Sequence, residues 1–235
     1  MSVWEWFTDP ANWTGYNGIP IRTWEQIEIS FWAMVIALAI AMPIALILGH
    51  QRRGIFLATN VGNIGRAIPT LGVLTILASI PEIGIGNFAA ILALALFAIP
   101  PLLTNTFAGI ASVDEEVLDA ANGIGMGGFR ILSRVELPLA LPLIAAGIRT
   151  ATVQVVATAS LAALVGSGGL GRYVVDGYSL QDNTLIIAGA ILTGLIAVIA
   201  DLVLGFVERR ITPKGLRGET FVASEEEEIP EATPA

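Results

Sequence analysis

Long apolar stretches alternate with short polar connections along most of the chain. A helix needs about 20 predominantly apolar residues to cross the roughly 30 Å hydrocarbon core of a bilayer. Five segments approach that length, and each predicts one membrane-spanning helix. They are Ile27 to Leu48, Phe56 to Ile80, Phe88 to Ile110, Leu139 to Val165 and Leu185 to Val207. The pattern therefore predicts an all-α, polytopic membrane protein of about five transmembrane helices.

The second segment is the weakest of the five. Arg66 and Pro69 interrupt it, and glycines at 62, 65 and 72 lower its helix propensity. We expect Arg66 to reach back to the cytoplasmic interface or to lie near a gate. We keep this segment as a span because the charge asymmetry of the loops depends on it.

Basic residues are unevenly divided between alternate loops. Two of them, Arg22 and Arg172, fall on one side of the membrane. Eight fall on the other: Arg52, Arg53, Arg130, Arg134, Arg209, Arg210, Lys214 and Arg217. Because Lys and Arg accumulate in cytoplasmic loops, the chain is expected to be a multi-pass protein of the cell (inner) membrane with its N-terminus outside and its C-terminus inside.

Four tryptophans precede or begin the first span, on the side expected to be external. They form either an interfacial belt or part of a short external helix packed on the protein. They are Trp4, Trp6, Trp13 and Trp24.

Composition agrees with a chain embedded in a bilayer. Hydrophobic residues make up 54% and charged residues only 14%, against about 25% charged in a typical soluble domain. The net charge of −8 arises mostly from the end of the chain, which has six acids and no base from Glu219 onward. We expect an external N-terminal segment at 1–26, a transmembrane domain at 27–210 and a disordered acidic cytoplasmic tail at 211–235.

The sequence offers little catalytic or metal-binding chemistry. Cysteine is absent, and the single histidine, His50, is assigned to a membrane interface. A P-loop needs a lysine that reaches the phosphates, yet the only lysine, Lys214, lies in the tail. Glycine-rich runs at 123–128 and 166–171 match G-x-G-x-x-G, but neither follows a predicted strand. We expect no catalytic residue, metal, cofactor or nucleic-acid partner, and any ATP hydrolysis must occur in a separate subunit.

The connection between the third and fourth spans, Ser112 to Pro138, is predicted to be ordered. Ser112 and Glu115 have the spacing of a capping box, which would start a short helix at Val113. The glycines at 123 and 125 would end that helix.

The second half of this loop can form another short helix, from Phe129 to Val135. Pro138 would then open the next membrane helix, because proline is tolerated in a first helical turn. The result is a helix-turn-helix projecting from the cytoplasmic side of the membrane, and an ordered projection of this kind indicates a docking partner.

The same loop carries a spaced motif. Its residues are Asp119, Ala120, Ala121, Gly125, Val135, Leu137 and Pro138. They resemble the signature E-A-A-x3-G-x9-I-x-L-P of permeases of ATP-driven (ABC) importers, with Asp119 in place of Glu and Val135 in place of Ile. The resemblance implies the type I importer fold and a coupling helix that seats in a groove on a cytoplasmic ATPase.

A second resemblance covers nearly the whole chain. Its runs are 66–71 (RAIPTL), 134–142 (RVELPLALP), 147–154 (GIRTATVQ) and 161–171 (LAALVGSGGLG). They look like permeases for glycine betaine, carnitine and choline. The likeness implies a cytoplasmic ATPase subunit, an external substrate-binding protein that carries the aromatic cage for the quaternary amine, and a second permease copy or paralogue.

Other functions remain open from the sequence. An ABC permease could carry an amino acid such as methionine, or an oxyanion. A secondary transporter would have inverted repeats and discontinuous helices in matching halves, which five spans do not easily provide. A membrane-embedded enzyme would need a cluster of catalytic side chains within the spans.

Two charged residues fall inside predicted spans. Arg149 lies about 15 Å and Asp201 about 10 Å from the cytoplasmic ends of their spans, at about 1.5 Å per residue. Charges at such depths are costly and call for a functional hypothesis. Either the two side chains form an ion pair near the inner mouth, or each reaches water or lines the pore separately.

Overall fold

The regular structure of the described residues is helical throughout. The computed structural model describes residues 2–53, 60, 62 and 69–211. Its α-helices are α1 (Val3–Thr8), α2 (Ile19–His50), α3 (Thr70–Ser79), α4 (Asn87–Ala111), α5 (Glu115–Gly123), α6 (Gly128–Ile131), α7 (Leu137–Thr158), α8 (Gly171–Leu180) and α9 (Asn183–Ile211). Short 3-10 helices occupy Pro10–Trp13 and Ala159–Val165, and a π-helical turn occupies Leu132–Glu136.

Four helical segments of the described chain are long and apolar enough to cross a membrane. They are Ile19–His50, Asn87–Ala111, Gly128–Val165 and Asn183–Ile211. These segments contain four of the five predicted spans. In the remaining segment, Phe56 to Ile80, most of the first half lies outside the described residues, and the second half contains the apolar helix α3. Arg66 and the acidic tail also lie outside the described residues.

The centre of the bundle is the contact of α2 with α4. Every fourth residue of α2 from Ala33 to Ala45 is a fully buried alanine, and Gly49 continues the series. Residues four apart lie on one face of a helix. A side chain at Gly49 would place its Cβ only 2.8 Å from Ile110 of α4. Small residues let helices approach closely in a membrane, where lipid tails are as apolar as leucine and contact must come from van der Waals packing.

Helix α7 runs antiparallel to α2 and α4 and packs on α4 through glycines. A Cβ on Gly147 would lie 2.6 Å from Cβ of Asn105, and a Cβ on Gly109 would lie 3.1 Å from the Ala140 carbonyl oxygen. Helix α9 contacts α7 and α8 and leaves much of its apolar surface exposed. The C-terminal ends of α2, α4 and α9 therefore lie together with the start of α7, at what we call the loop end of the bundle.

The opposite end of the bundle is covered by the N-terminal segment and α8. Trp6 is buried and meets Tyr173 of α8 edge-on, with ring centroids 5.3 Å apart. Helix α1 therefore packs on the protein, which is one of the two alternatives proposed above for the tryptophans. Trp4, Trp13 and Trp24 remain exposed, so their rings are available to a membrane interface.

We predict that Gly147→Ala destabilises the protein by about 1–3 kcal/mol, because the new methyl group overpacks the contact with Asn105. Gly194→Ala is the matched control, since no atom lies within 4 Å of a Cβ at that helical position. The control should gain up to about 1 kcal/mol from helix propensity. Thermal-unfolding midpoints in detergent compare the two variants, and equal shifts would show that the glycine contact does not matter.

Candidate functional site

The first arm of the loop between α4 and α7 is a capped helix. Helix α5 begins at Glu115, and the carboxylate of Asp114 accepts a hydrogen bond from the Glu116 backbone N–H at 2.9 Å. The predicted capping box of Ser112 with Glu115 is wrong. Ser112 keeps helical backbone angles at the end of α4 and donates its hydroxyl to the Gly109 carbonyl at 2.9 Å. An N-cap residue has non-helical backbone angles, and Asp114 has them, with φ of −58° and ψ of 135°.

A tight turn follows α5. Gly125 has φ of +79°, in the left-handed region where a glycine avoids the strain of a side chain. The backbone N–H of Met126 donates to the Ala121 carbonyl at 3.1 Å and closes the turn. The turn reverses the chain and sends the second arm back toward the bundle.

The second arm is continuous with the membrane helix. The prediction of a separate helix from Phe129 to Val135 is wrong, because α6 runs through the π-helical turn at Leu132–Glu136 directly into α7. Pro138 occupies an early position of α7. A proline ring clashes with the carbonyl four residues earlier in a regular helix, and the wider π turn directly before Pro138 relieves that crowding.

The motif residues fall into two groups on this loop. Asp119, Ala120 and Gly125 are exposed on α5 and the turn, whereas Ala121 is buried. Val135 and Leu137 are half-buried at the root of the loop, beside the exposed Pro138. The structure therefore separates an outward-facing part of the motif from an inward-facing part.

The tip of the loop exposes large apolar side chains. Phe129 is 84% exposed, Ile124 is 80% exposed, and Val117 is also exposed. Large apolar side chains exposed on a loop that projects from the bundle indicate a candidate interaction site.

The root of the loop contains contacts that the sequence analysis missed. Glu136 is 1% exposed, and its Oε2 lies 2.6 Å from Nδ1 of His50 at the end of α2. Arg52 lies 3.2 Å from the Glu115 carboxylate and donates to the Val113 carbonyl. His50 is therefore part of a polar contact and not merely an interfacial residue. The available signal was a lone acid in an apolar stretch, which needs a partner when buried.

Arg149 and Asp201 are brought together between α7 and α9. Nε and Nη2 of Arg149 donate to the two carboxylate oxygens of Asp201 at 2.7 and 2.9 Å, and Nη1 donates to Glu208 at 3.2 Å. Gly205 lies between the two acids along α9, and a Cβ there would be 3.0 Å from the guanidinium carbon. The bidentate geometry is the strong form of this ion pair. Glu208 is a partner that the sequence analysis did not anticipate.

This charged group borders an open cavity of about 500 Å³. Its wall also includes polar side chains of α7, Thr150 and Gln154. The cavity therefore brings several polar side chains together on one otherwise apolar face of the bundle.

At the opposite end, a glycine-rich turn after α7 is fastened to the start of α2. The buried Gln26 donates to the Val156 carbonyl at 2.9 Å and accepts from the Leu170 backbone N–H at 3.2 Å. Glu25 accepts from the Gly169 N–H at 2.8 Å. Burial raises the pKa of the nearby Tyr173 phenol to about 12, so the phenol stays protonated and donates to the Asn17 carbonyl.

Residues 41–213 match the family described as binding-protein-dependent transport system inner membrane component. The chain belongs to this family. Named relatives extend the match over most of its length. The glycine betaine/carnitine/choline transport system permease protein OpuCB of Bacillus subtilis is 39% identical over 197 residues, covering 84% of this chain and 90% of the relative. The carnitine transport permease protein OpuCB of Listeria monocytogenes is 34% identical, covering 86% of this chain and 92% of the relative.

Solved structures of ABC transporters share the fold of this permease. The methionine ABC transporter MetNI in an inward-facing conformation has a TM-score of 0.70 at 22% identity, covering 81% of this chain and 94% of that chain. An amino acid ABC transporter with histidines has a TM-score of 0.65 at 20% identity, covering 80% and 92%. The permease therefore has the all-α fold of type I ABC importer permeases.

We predict that Arg149→Gln and Asp201→Asn each lower the thermal-unfolding midpoint of the permease, because each breaks the bidentate ion pair that joins α7 to α9. The double variant should lose clearly less stability than the sum of the two single losses.

The matched control is the pair of Arg172 and Asp176, which are 2.9 Å apart within α8 and about as exposed as Arg149 and Asp201. Arg172→Gln and Asp176→Asn should give small and nearly additive changes, since a single contact between residues i and i+4 of one helix contributes only about 0.3–0.5 kcal/mol. Additive losses for Arg149 and Asp201 as well would argue against a stabilising pair.

Proposed function

We propose that this permease is the membrane subunit of an ATP-driven importer of osmoprotectants: glycine betaine, carnitine, choline or related quaternary amines. A separate cytoplasmic ATPase supplies the hydrolysis, an external substrate-binding protein delivers the solute, and a second permease copy or paralogue completes the path. The observation that carries the proposal is the ordered loop with an exposed apolar tip, which presents the motif residues Asp119, Ala120 and Gly125 away from the bundle.

The surface chemistry of the loop supports its role as a coupling element. Ala120 is small and exposed on α5, so a partner surface can approach that helix closely. Ile124 and Phe129 would lose their exposed area in a groove on the ATPase, a favourable change of about 25 cal/mol per Å² of apolar surface. ATP-driven closure of two ATPase subunits would then draw two such loops together and turn the cavity outward. An equilibrium between two states moves only by differential affinity for them, so the ATPase must hold the loops differently when ATP is bound.

The distribution of bases supports an orientation with the loop in the cytoplasm. Arg52, Arg130, Arg134 and Arg209 all belong to segments at the loop end of the bundle. Arg22 and Arg172 belong to the opposite end. This asymmetry favours an external N-terminus and a cytoplasmic C-terminus.

The substrate class is supported by the relatives. Permeases named for glycine betaine, carnitine and choline match over four fifths of the chain at 34–39% identity. The likeness to the methionine transporter, at 22% identity, concerns the fold alone. Aromatic residues make up only 7% of the chain, which fits a permease whose binding protein carries the quaternary-amine cage.

For the substrate class, we predict that the cognate binding protein loaded with glycine betaine, carnitine or choline accelerates ATP hydrolysis by the reconstituted assembly. The same receptor incubated with methionine or sulfate should not accelerate it, because neither ligand satisfies an aromatic cage for a quaternary amine. Rates of phosphate release measure the effect. Stimulation by methionine alone would move the permease to the amino-acid class.

For the coupling loop, we predict that Ala120→Arg abolishes ATP-dependent transport while leaving membrane insertion intact. Ala120 is exposed, so the new side chain meets no interior of this chain but obstructs close approach of a partner. Ala120→Ser is the matched control and should retain transport, because serine is also small. Co-purification of the ATPase, membrane abundance and uptake are measured for both variants. Normal transport by Ala120→Arg would remove this helix from the docking surface.

A further inference from the structure

The end of α2 contacts both arms of the coupling loop where they leave the bundle. Arg52 reaches the first arm, through the Val113 carbonyl and the Glu115 carboxylate. His50 reaches the second arm, through Glu136 in the π-helical turn. The C-terminal end of α2 and the residues directly after it therefore contact both arms of the loop.

The contact between His50 and Glu136 is the buried one of these contacts. Glu136 is 1% exposed, and the imidazole of His50 is the polar side chain that lies against it. A buried carboxylate that loses its partner is strongly destabilised. The bridge from Arg52 to Glu115 is weaker, because the Glu115 carboxylate is largely exposed.

A glycine makes room for the histidine ring on the second arm. A Cβ on Gly128 would lie 3.1 Å from Nε2 of His50. The ring is thus placed between Gly128 at the start of α6 and Glu136 at the end of the π turn. It spans the segment in which the second arm joins α7.

Helix α2 is a firm support for this contact. Its buried alanine series ends at Gly49, directly before His50, and packs Gly49 against Ile110 of α4. The π turn on the other side of the contact has a backbone hydrogen-bond pattern that is irregular for a helix, and such turns mark places where helices adjust at functional sites. Without the contact between His50 and Glu136, displacement of the loop would deform the π turn and would not be transmitted to α2.

We propose that His50 and Glu136 are positioning residues that fasten the coupling loop to α2, so that displacement of the loop by the ATPase moves α2 together with α7. Arg52 fastens the first arm in the same way. The inference rests on the proposed function of the loop and assigns to α2 a part in transmitting the motion.

The first test uses the full-length permease alone in lipid nanodiscs. His50→Ala removes the imidazole, and Glu136→Leu removes the buried carboxylate, so the second variant is expected to fold even if the first does not. Backbone hydrogen exchange over residues 113–136 should become about tenfold faster in either variant, the size expected from losing one buried hydrogen bond. Glu136→Gln keeps a hydrogen-bonding side chain of the same shape and should lie nearer to wild type than Glu136→Leu.

Arg53→Ala is the matched control for Arg52→Ala. Arg53 has the same charge and a neighbouring position, and its exposed side chain makes no hydrogen bond or ion pair with the described residues. Exchange in the loop should rise in Arg52→Ala and stay at the wild-type rate in Arg53→Ala. Unchanged exchange in both His50→Ala and Glu136→Leu would overturn the proposal.

The second test uses the complete assembly with ATPase and binding protein. Glu136→Leu should keep the ATPase bound but lower the amount of glycine betaine transported per ATP hydrolysed, and Glu136→Gln should restore part of that ratio. Faster exchange together with an unchanged ratio would overturn the positioning role. If the wild-type assembly shows no ATP-linked transport at all, the proposed function fails. The exchange experiment still reports whether the contact between His50 and Glu136 holds the loop in place.

Discussion

Close packing of α2 against α4 through small side chains is the constraint on which the rest of the structure depends. In a bilayer, apolar helices gain nothing from avoiding lipid, so their association rests on van der Waals contact and internal hydrogen bonds. The alanines from Ala33 to Ala45 and Gly49 supply that contact over most of the length of α2. The same helix then holds irregular backbone at both ends. Gln26 fastens the glycine-rich turn at one end, and His50 fastens the loop at the other.

Polar groups within the bundle are placed where elements meet. Glu136 is matched by His50, Arg149 by two acids of α9, and Gln26 by two backbone groups. Isolated polar groups in apolar surroundings are costly, so each pairing restricts how its two elements can be arranged. A transporter needs discrete arrangements of its helices, and such pairings can define them.

Several features of the fold could be predicted because they follow from composition and periodicity. Four of the five apolar segments lie within observed helices long enough to span a membrane, since hydropathy reports directly on burial in lipid. The glycine turn at Gly125 also follows from local chemistry. Local capping was harder: Ser112 and Asp114 are both good N-cap residues, and the choice depends on where α4 ends. The continuous path from α6 into α7 was missed because a proline before an apolar run looks like a helix start, and a π turn has no simple sequence signal.

Long-range contacts of the site were the least accessible from sequence. His50 and Glu136 are 86 positions apart, and Arg149 and Glu208 are 59 apart. No periodic pattern joins residues at such separations. The depth of the two charges in their spans made Asp201 a candidate partner for Arg149, but nothing in the sequence indicated Glu208 as a second partner or joined Glu136 to His50. Gly205 illustrates the same limit, because its lack of a side chain matters only once Arg149 is seen to lie against it.

The central claim is that a separate cytoplasmic ATPase drives transport through contact with the loop between α4 and α7. Solute uptake into liposomes tests this claim most directly. Radiolabelled glycine betaine is offered to liposomes that contain the permease alone, and to liposomes that contain the permease with its ATPase and binding protein, each with and without ATP. The account predicts uptake only by the complete assembly and only with ATP. Uptake by the permease alone, without nucleotide, would contradict it.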